Sequence, residues 1–232
     1  MLSEIFKLFW KTVERKDARR INSQTPPTEI EQFCDIQYID DGLWQNRLDV
    51  YSKSGKLSHR PVIIDIHGGG WMYGTKEINK NYCLALAQKD YVVVNINYRL
   101  APDFSVADQL RDCFFAFKWV STNIEKYGGD LNNVFVTGDS AGGFLAAYSA
   151  LLNSSEKLRK IFGVTESGLE FRACGLTSPI CFMNTHTFQD VYYSRVKGKE
   201  FSESTLRGFE NFDAVLNKGS MPPTFLVTSS GD

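Results

Sequence analysis

Val134-Phe135-Val136-Thr137-Gly138-Asp139-Ser140-Ala141-Gly142-Gly143-Phe144-Leu145-Ala146-Ala147 is the stretch that decides how the rest of the chain reads. It opens as an apolar, β-branched run and closes as a small-residue apolar run, so a strand leads through a sharp turn into a helix. The turn carries Gly-x-Ser-x-Gly, and a serine there has to sit in a strained strand-to-helix elbow that exposes its hydroxyl. Gly138 and Gly142 flank it because a Cβ at either place would collide with neighbouring backbone. The helix that begins at the serine aims its free N–H groups and the positive end of its dipole at the hydroxyl. Chemically, this is a nucleophile placed for attack on an acyl carbon.

Working upstream, Pro61-Val-Ile-Ile-Asp-Ile-His67 is a near-continuous apolar run, the mark of a strand covered on both faces. It runs straight into His67-Gly68-Gly69-Gly70-Trp71. Consecutive glycines let backbone N–H groups turn into a cavity, where such donors stabilise the oxyanion of a tetrahedral intermediate by about 2.7–4 kcal/mol each. Alone, the segment reads as a glycine turn with a capping histidine. Paired with the serine elbow on a second buried strand, it reads as an oxyanion loop.

The remaining pattern alternates. Asn79 to Lys89 reads as a helix, Tyr91 to Asn97 as a buried strand, Ser105 to Lys126 as a long helix, and Ser140 to Leu152 as the elbow helix. Ala173 to Ser178 and Thr224 to Thr228 are short strands, and Phe33 to Ile39 and Leu43 to Tyr51 alternate as half-buried edge strands. Buried strands alternating with helices predict a mostly parallel sheet with helices on both faces, an α/β fold. Met1 to Arg20 predicts a helix whose stripe, Leu2, Ile5, Phe6, Phe9 and Val13, packs on the rest of the protein. Asn153 to Leu169 reads as a polar connection. Pro179 to Pro223 is far longer than an ordinary crossover and rich in aromatics, which predicts a lid over the carboxyl ends of the strands.

These segments resemble the hormone-sensitive-lipase-like group of α/β-hydrolases. The resemblance rests on His67-Gly-Gly-Gly-Trp71, Tyr98-Arg-Leu-Ala-Pro102, Gly138-Asp-Ser-Ala-Gly-Gly143 and Pro222-Pro-Thr-Phe-Leu-Val-Thr-Ser-Ser-Gly-Asp232. It implies Ser140 as nucleophile, Asp232 as the triad acid, and N–H groups of Gly69, Gly70 and Ala141 as the oxyanion hole. His67, Gly68, Trp71 and Asp139 then organise the loop and elbow. It further implies a single domain over 1–232, with cap elements at 1–30 and about 179–220 and a core at 33–178 and 221–232. The expected activity is cleavage of small or short-acyl carboxylic esters through an acyl-enzyme, without metal or organic cofactor. An arylformamidase or amidase, and a non-catalytic small-molecule-binding relative, are the alternatives.

Composition agrees and excludes little else. The chain has 232 residues, 43% hydrophobic and 23% charged, with a net charge of -1. That balance offers no field for nucleic acid. No stretch is long enough to span a membrane, and Met1 to Arg20 lacks a signal-peptide cleavage site. Five scattered cysteines, Cys34, Cys83, Cys113, Cys174 and Cys181, predict reduced thiols in a cytoplasmic protein rather than a disulfide frame or zinc site.

A serine hydroxyl needs a base. In the family order Ser…Asp…His, the base follows the acid, and Asp232 is the last residue. His59 falls at the wrong end of the sheet, His67 belongs to the oxyanion loop, and His186 in the insert breaks the order. The expectation is therefore a shortened esterase of residual activity, with the strand Thr224 to Thr228 open to pairing with a second copy.

Overall fold

The computed structural model describes residues 2–55, 59–183, 189–203 and 206–229. In chain order the elements are α1 (Leu2–Asn22), β1 (Ile30–Gln37), β2 (Arg47–Lys53), β3 (Arg60–Ile66), α2 (Lys80–Gln88), β4 (Val92–Ile96), α3 (Val106–Asn123) and β5 (Gly129–Asp139). There follow α4 (Ser140–Asn153), α5 (Glu156–Phe162), β6 (Phe171–Thr177), α6 (Gln189–Glu203), α7 (Asp213–Leu216) and β7 (Thr224–Val227).

Among the described residues the strands form one seven-stranded sheet in the order β1-β2-β4-β3-β5-β6-β7. β1 pairs antiparallel with β2 at one edge, β2 pairs antiparallel with β4, and the other pairings are parallel. The half-buried alternation expected of both strands is not observed: β2 is buried from Leu48 to Ser52 because it lies between β1 and β4, whereas the edge strand β1 is mostly exposed. Every residue of β4 is buried, because helices cover both of its faces. Val62, Ile64, Ile66, Val92, Val94 and Ile96 meet α3 and α4, whereas Val93 packs against Cys83, Leu84 and Ala87 of α2. The parallel order brings the carboxyl ends of β3 and β5 together, with Ile66 beside Gly138. Both motifs therefore open on the same edge.

Three further expectations need correction. Asn153 to Leu169 is not wholly a polar connection: Glu156–Phe162 is helical, capped by the Ser155 hydroxyl on the Leu158 N–H and closed by Gly163 in the left-handed region. β5 starts at Gly129, earlier than its apolar run, because pairing with β3 reaches back to Arg60. On α1, the inward face runs through Phe6, Trp10, Val13, Asp17 and Ile21, while Phe9 is 56% exposed. The side chains of Leu2 and Ile5, and the residues His186, Phe188 and Asp232, lie outside the described residues.

The insert after β6 packs onto the body. Val196, Phe201, Leu206 and Val215 are buried, Arg111 of α3 pairs with Glu200 of α6 at 2.9 Å, and the Tyr148 hydroxyl donates to the Phe209 carbonyl at 2.7 Å. Gly198, with φ of 64°, breaks α6 into two helical pieces. At the other sheet edge, Phe225, Leu226 and Val227 of β7 are all exposed among the described residues. Cys34 is also exposed, Cys181 is half-buried, and Cys83, Cys113 and Cys174 are buried; all five are free thiols. No described helix is long and apolar enough to cross a membrane.

Candidate active site

Ser140 has φ of 50°, a left-handed conformation that costs a non-glycine residue roughly 1–3 kcal/mol. Local packing enforces it. A Cβ on Gly138 would run into the Gly142 and Ile66 backbone, and one on Gly142 into the Ile66 and His67 carbonyls. Those absences let α4 start directly over the end of β3. Behind the serine, α4 is buried from Ala141 to Leu152, which anchors the strained turn. On the outer side the Ile180 N–H donates to the Ser140 carbonyl at 3.3 Å.

The glycine loop has every carbonyl engaged. Tyr98 Oη donates to His67 O at 2.8 Å. His67 Nδ1 lies 2.7 Å from Gly68 O. Gly69 O accepts from the Met72 and Tyr73 N–H groups at 3.2 and 3.0 Å. The Tyr192 hydroxyl donates to Gly70 O. Trp71 O accepts from the Ala101 N–H at 2.8 Å and from Gln109 Nε2 at 2.9 Å. Positive φ at Gly69, Gly70 and Trp71, of 113°, 57° and 63°, produces this outward set of carbonyls. Among the described residues the N–H groups of Gly69 and Gly70 have no acceptor. The Ala141 N–H, in the first turn of α4, has none within its helix.

Asp139 ties loop to elbow. Its Oδ1 accepts from the Gly68 N–H at 3.0 Å and from Asn79 Nδ2 at 2.9 Å. Asn79 Nδ2 also donates to Asp65 Oδ2 at 3.0 Å, so one amide bridges two carboxyls beneath the loop. The structure thus brings Ser140, Gly69, Gly70, Ala141, His67, Gly68, Trp71 and Asp139 to one edge. Sequence reasoning missed Asn79, Asp65, Gln109 and Tyr192, and quoted Tyr98 without a role. For Gln109 a signal exists, a polar residue on the apolar face of α3, where it is fully buried.

His67 is buried and stacked on Tyr98, with ring centroids 4.4 Å apart. Burial lowers its pKa from 6.5 to about 4, so the imidazole is neutral across the working range. With Nδ1 committed to Gly68, it braces the loop. Asp65 is displaced in the other direction. Burial, with the Asp139 charge adding to it and the Asn79 bond opposing it, raises its pKa from 3.8 to about 7.

The two groups have opposite linkage. Between about 4 and 7 the folded Asp65 holds a proton that the unfolded chain has released, so stability falls as pH rises. Between 6.5 and about 4 the unfolded His67 holds a proton that the folded ring refuses, so stability falls as pH drops. In the parent these slopes cancel over their overlap. Asp65→Asn leaves the histidine slope alone, and the variant should lose about 3 kcal/mol more than the parent on going from pH 6.5 to pH 4. Denaturant melts at the two pH values measure it; equal losses in parent and variant would refute the pairing.

Residues 48–187 match the family model BD-FAE. The chain is similar to the carboxylesterase NlhH of Mycobacterium tuberculosis, 35% identical over 60% of this chain and 45% of that protein. It is also similar to the isoprenylcysteine alpha-carbonyl methylesterase ICME of Arabidopsis thaliana, 29% identical over 81% of this chain and 46% of that protein. Among solved structures, esterase B of Lactobacillus rhamnosis superposes with a TM-score of 0.90 at 30% identity, covering 97% of this chain and 73% of that one. The chain spans about half the length of these two curated relatives.

Proposed function

The chain belongs to the BD-FAE family, among the hormone-sensitive-lipase-like α/β-hydrolases, and from that membership we propose that it is a serine hydrolase of small or short-acyl carboxylic esters. The observation that carries the reading is the pairing of a left-handed Ser140 with a loop whose carbonyls are all engaged elsewhere.

Ser140 Oγ attacks the ester carbonyl carbon as a base takes its proton. The carbonyl oxygen becomes an oxyanion, held by the N–H groups of Gly69, Gly70 and Ala141, which need no reorganisation to receive it. Collapse of the intermediate expels the alcohol, which takes the proton back from the base. Water then attacks the acyl-enzyme by the same steps and releases the acid. In this reading Asp232 orients the base. Neither described histidine serves as that base: His59 precedes β3, at the far end of the sheet from Ser140, and His67 is buried beneath the loop. The free thiols support a cytoplasmic setting.

Turnover of p-nitrophenyl acetate against N-formylkynurenine tests the reading. The ester should be cleaved with the higher kcat/KM; faster cleavage of the formamide would replace the esterase reading with an arylformamidase one.

A further inference from the structure

Four of the five loop carbonyls are held by donors of the hydrolase body: Tyr98, His67, the Met72 and Tyr73 amides, and the Ala101 amide with Gln109. The fifth is different. Gly70 O is held by the hydroxyl of Tyr192, which comes from α6 of the insert, 122 residues away in sequence. We propose that Tyr192 is a positioning residue for ester cleavage, whose hydroxyl couples the insert and α1 to the oxyanion loop by fixing the Gly70–Trp71 peptide. The inference rests on the serine-hydrolase reading above.

The Tyr192 ring packs among other aromatic rings. Phe6 of α1 meets it edge-on at 5.1 Å, and Tyr193 packs against it at 5.9 Å. Trp10 of α1 lies 6.5 Å away and stacks at 5.3 Å on Tyr73, which follows the loop in sequence. The Tyr192 hydroxyl and the Trp10 indole together fill the space that a Cβ on Gly70 would need. Burial raises the phenol pKa, so the hydroxyl remains a donor throughout the working range.

The restraint has something to oppose. Trp71 sits at φ of 63°, in a region that a bulky side chain occupies only under constraint. Rotating the Gly70–Trp71 peptide relieves that φ and swings the Gly70 carbonyl out of its present direction. An unrestrained carbonyl dipole beside the Gly69 and Gly70 N–H groups opposes the developing oxyanion, so its fixed direction belongs to the preorganisation of the hole. Cap and chemistry are then coupled. The loop is fully set only while α1 and α6 are seated.

Tyr192→Phe removes the hydroxyl and keeps the ring packing. The test is progressive labelling of the full chain with a fluorophosphonate, in which the serine oxygen bonds phosphorus and fluoride leaves. Its saturation separates maximal labelling rate from probe affinity. Tyr192→Phe should lower the maximal rate at Ser140 about tenfold and leave the half-saturating concentration within about twofold. Tyr127→Phe, the same hydroxyl deletion just before β5 at the opposite end of the sheet from Ser140, should label at the parental rate. An unchanged maximal rate in Tyr192→Phe, or a loss wholly in affinity, overturns the positioning role. Failure of the parent to label at Ser140 is a separate result, and overturns the nucleophile assignment together with everything built on it.

Discussion

Gly142→Ala is expected to destabilise the protein by about 1–3 kcal/mol and to slow ester cleavage by on the order of 10²-fold. The added methyl points at the Ile66 and His67 carbonyls, which are backbone and cannot swing aside like a flexible side chain. Either α4 lifts from the end of β3 or the start of the oxyanion loop is pushed outward. Both movements separate Ser140 from the Gly69 and Gly70 N–H groups. Asp139 cannot compensate, because its bond to the Gly68 N–H spans the very gap being opened. Thermal melting and the rate on p-nitrophenyl acetate, measured on the same preparation, check both halves. A variant with parental melting and parental rate would mean that the elbow has room the structure does not show.

How much of this was legible in the sequence depends on the kind of constraint. Gly138, Gly142 and the Gly68–Gly70 run announce themselves, because close backbone approach and positive φ leave glycine as the residue that fits. The buried strands β3 and β4 announce themselves too, since cover on both faces demands continuous apolar residues. What stayed hidden is the set of donors that hold the loop. Tyr98, Gln109 and Tyr192 serve carbonyls 31, 38 and 122 residues away, and no local pattern records a bond across such a distance. Asn79 had only a helix-start reading, though it bridges Asp65 and Asp139. The helix Glu156–Phe162 was obscured because its seven residues lie between polar caps and show too few turns for a period to stand out. On α1 the expected stripe holds at Phe6 and Val13 but not at Phe9, which faces outward, and the aromatic that meets the loop is Trp10.

Ser140→Ala carries the largest expected effect, a loss of ester cleavage on the order of 10³-fold or more. The hydroxyl is the atom that forms the acyl bond, and the oxyanion donors left behind accelerate only attack by water. The fold should tolerate the change, because alanine meets the same φ of 50° and leaves the packing of α4 intact. Loss of rate with preserved melting is therefore the signature, in contrast to Gly142→Ala, where both fall together.

The most direct measurement is mass spectrometry of the full chain after exposure to a fluorophosphonate. The parent should gain one adduct, and digestion should place it on the peptide containing Gly138 to Gly143, at Ser140. Ser140→Ala should gain none under the same conditions. An adduct on another residue, or equal labelling of parent and variant, would contradict the assignment of Ser140 as the nucleophile.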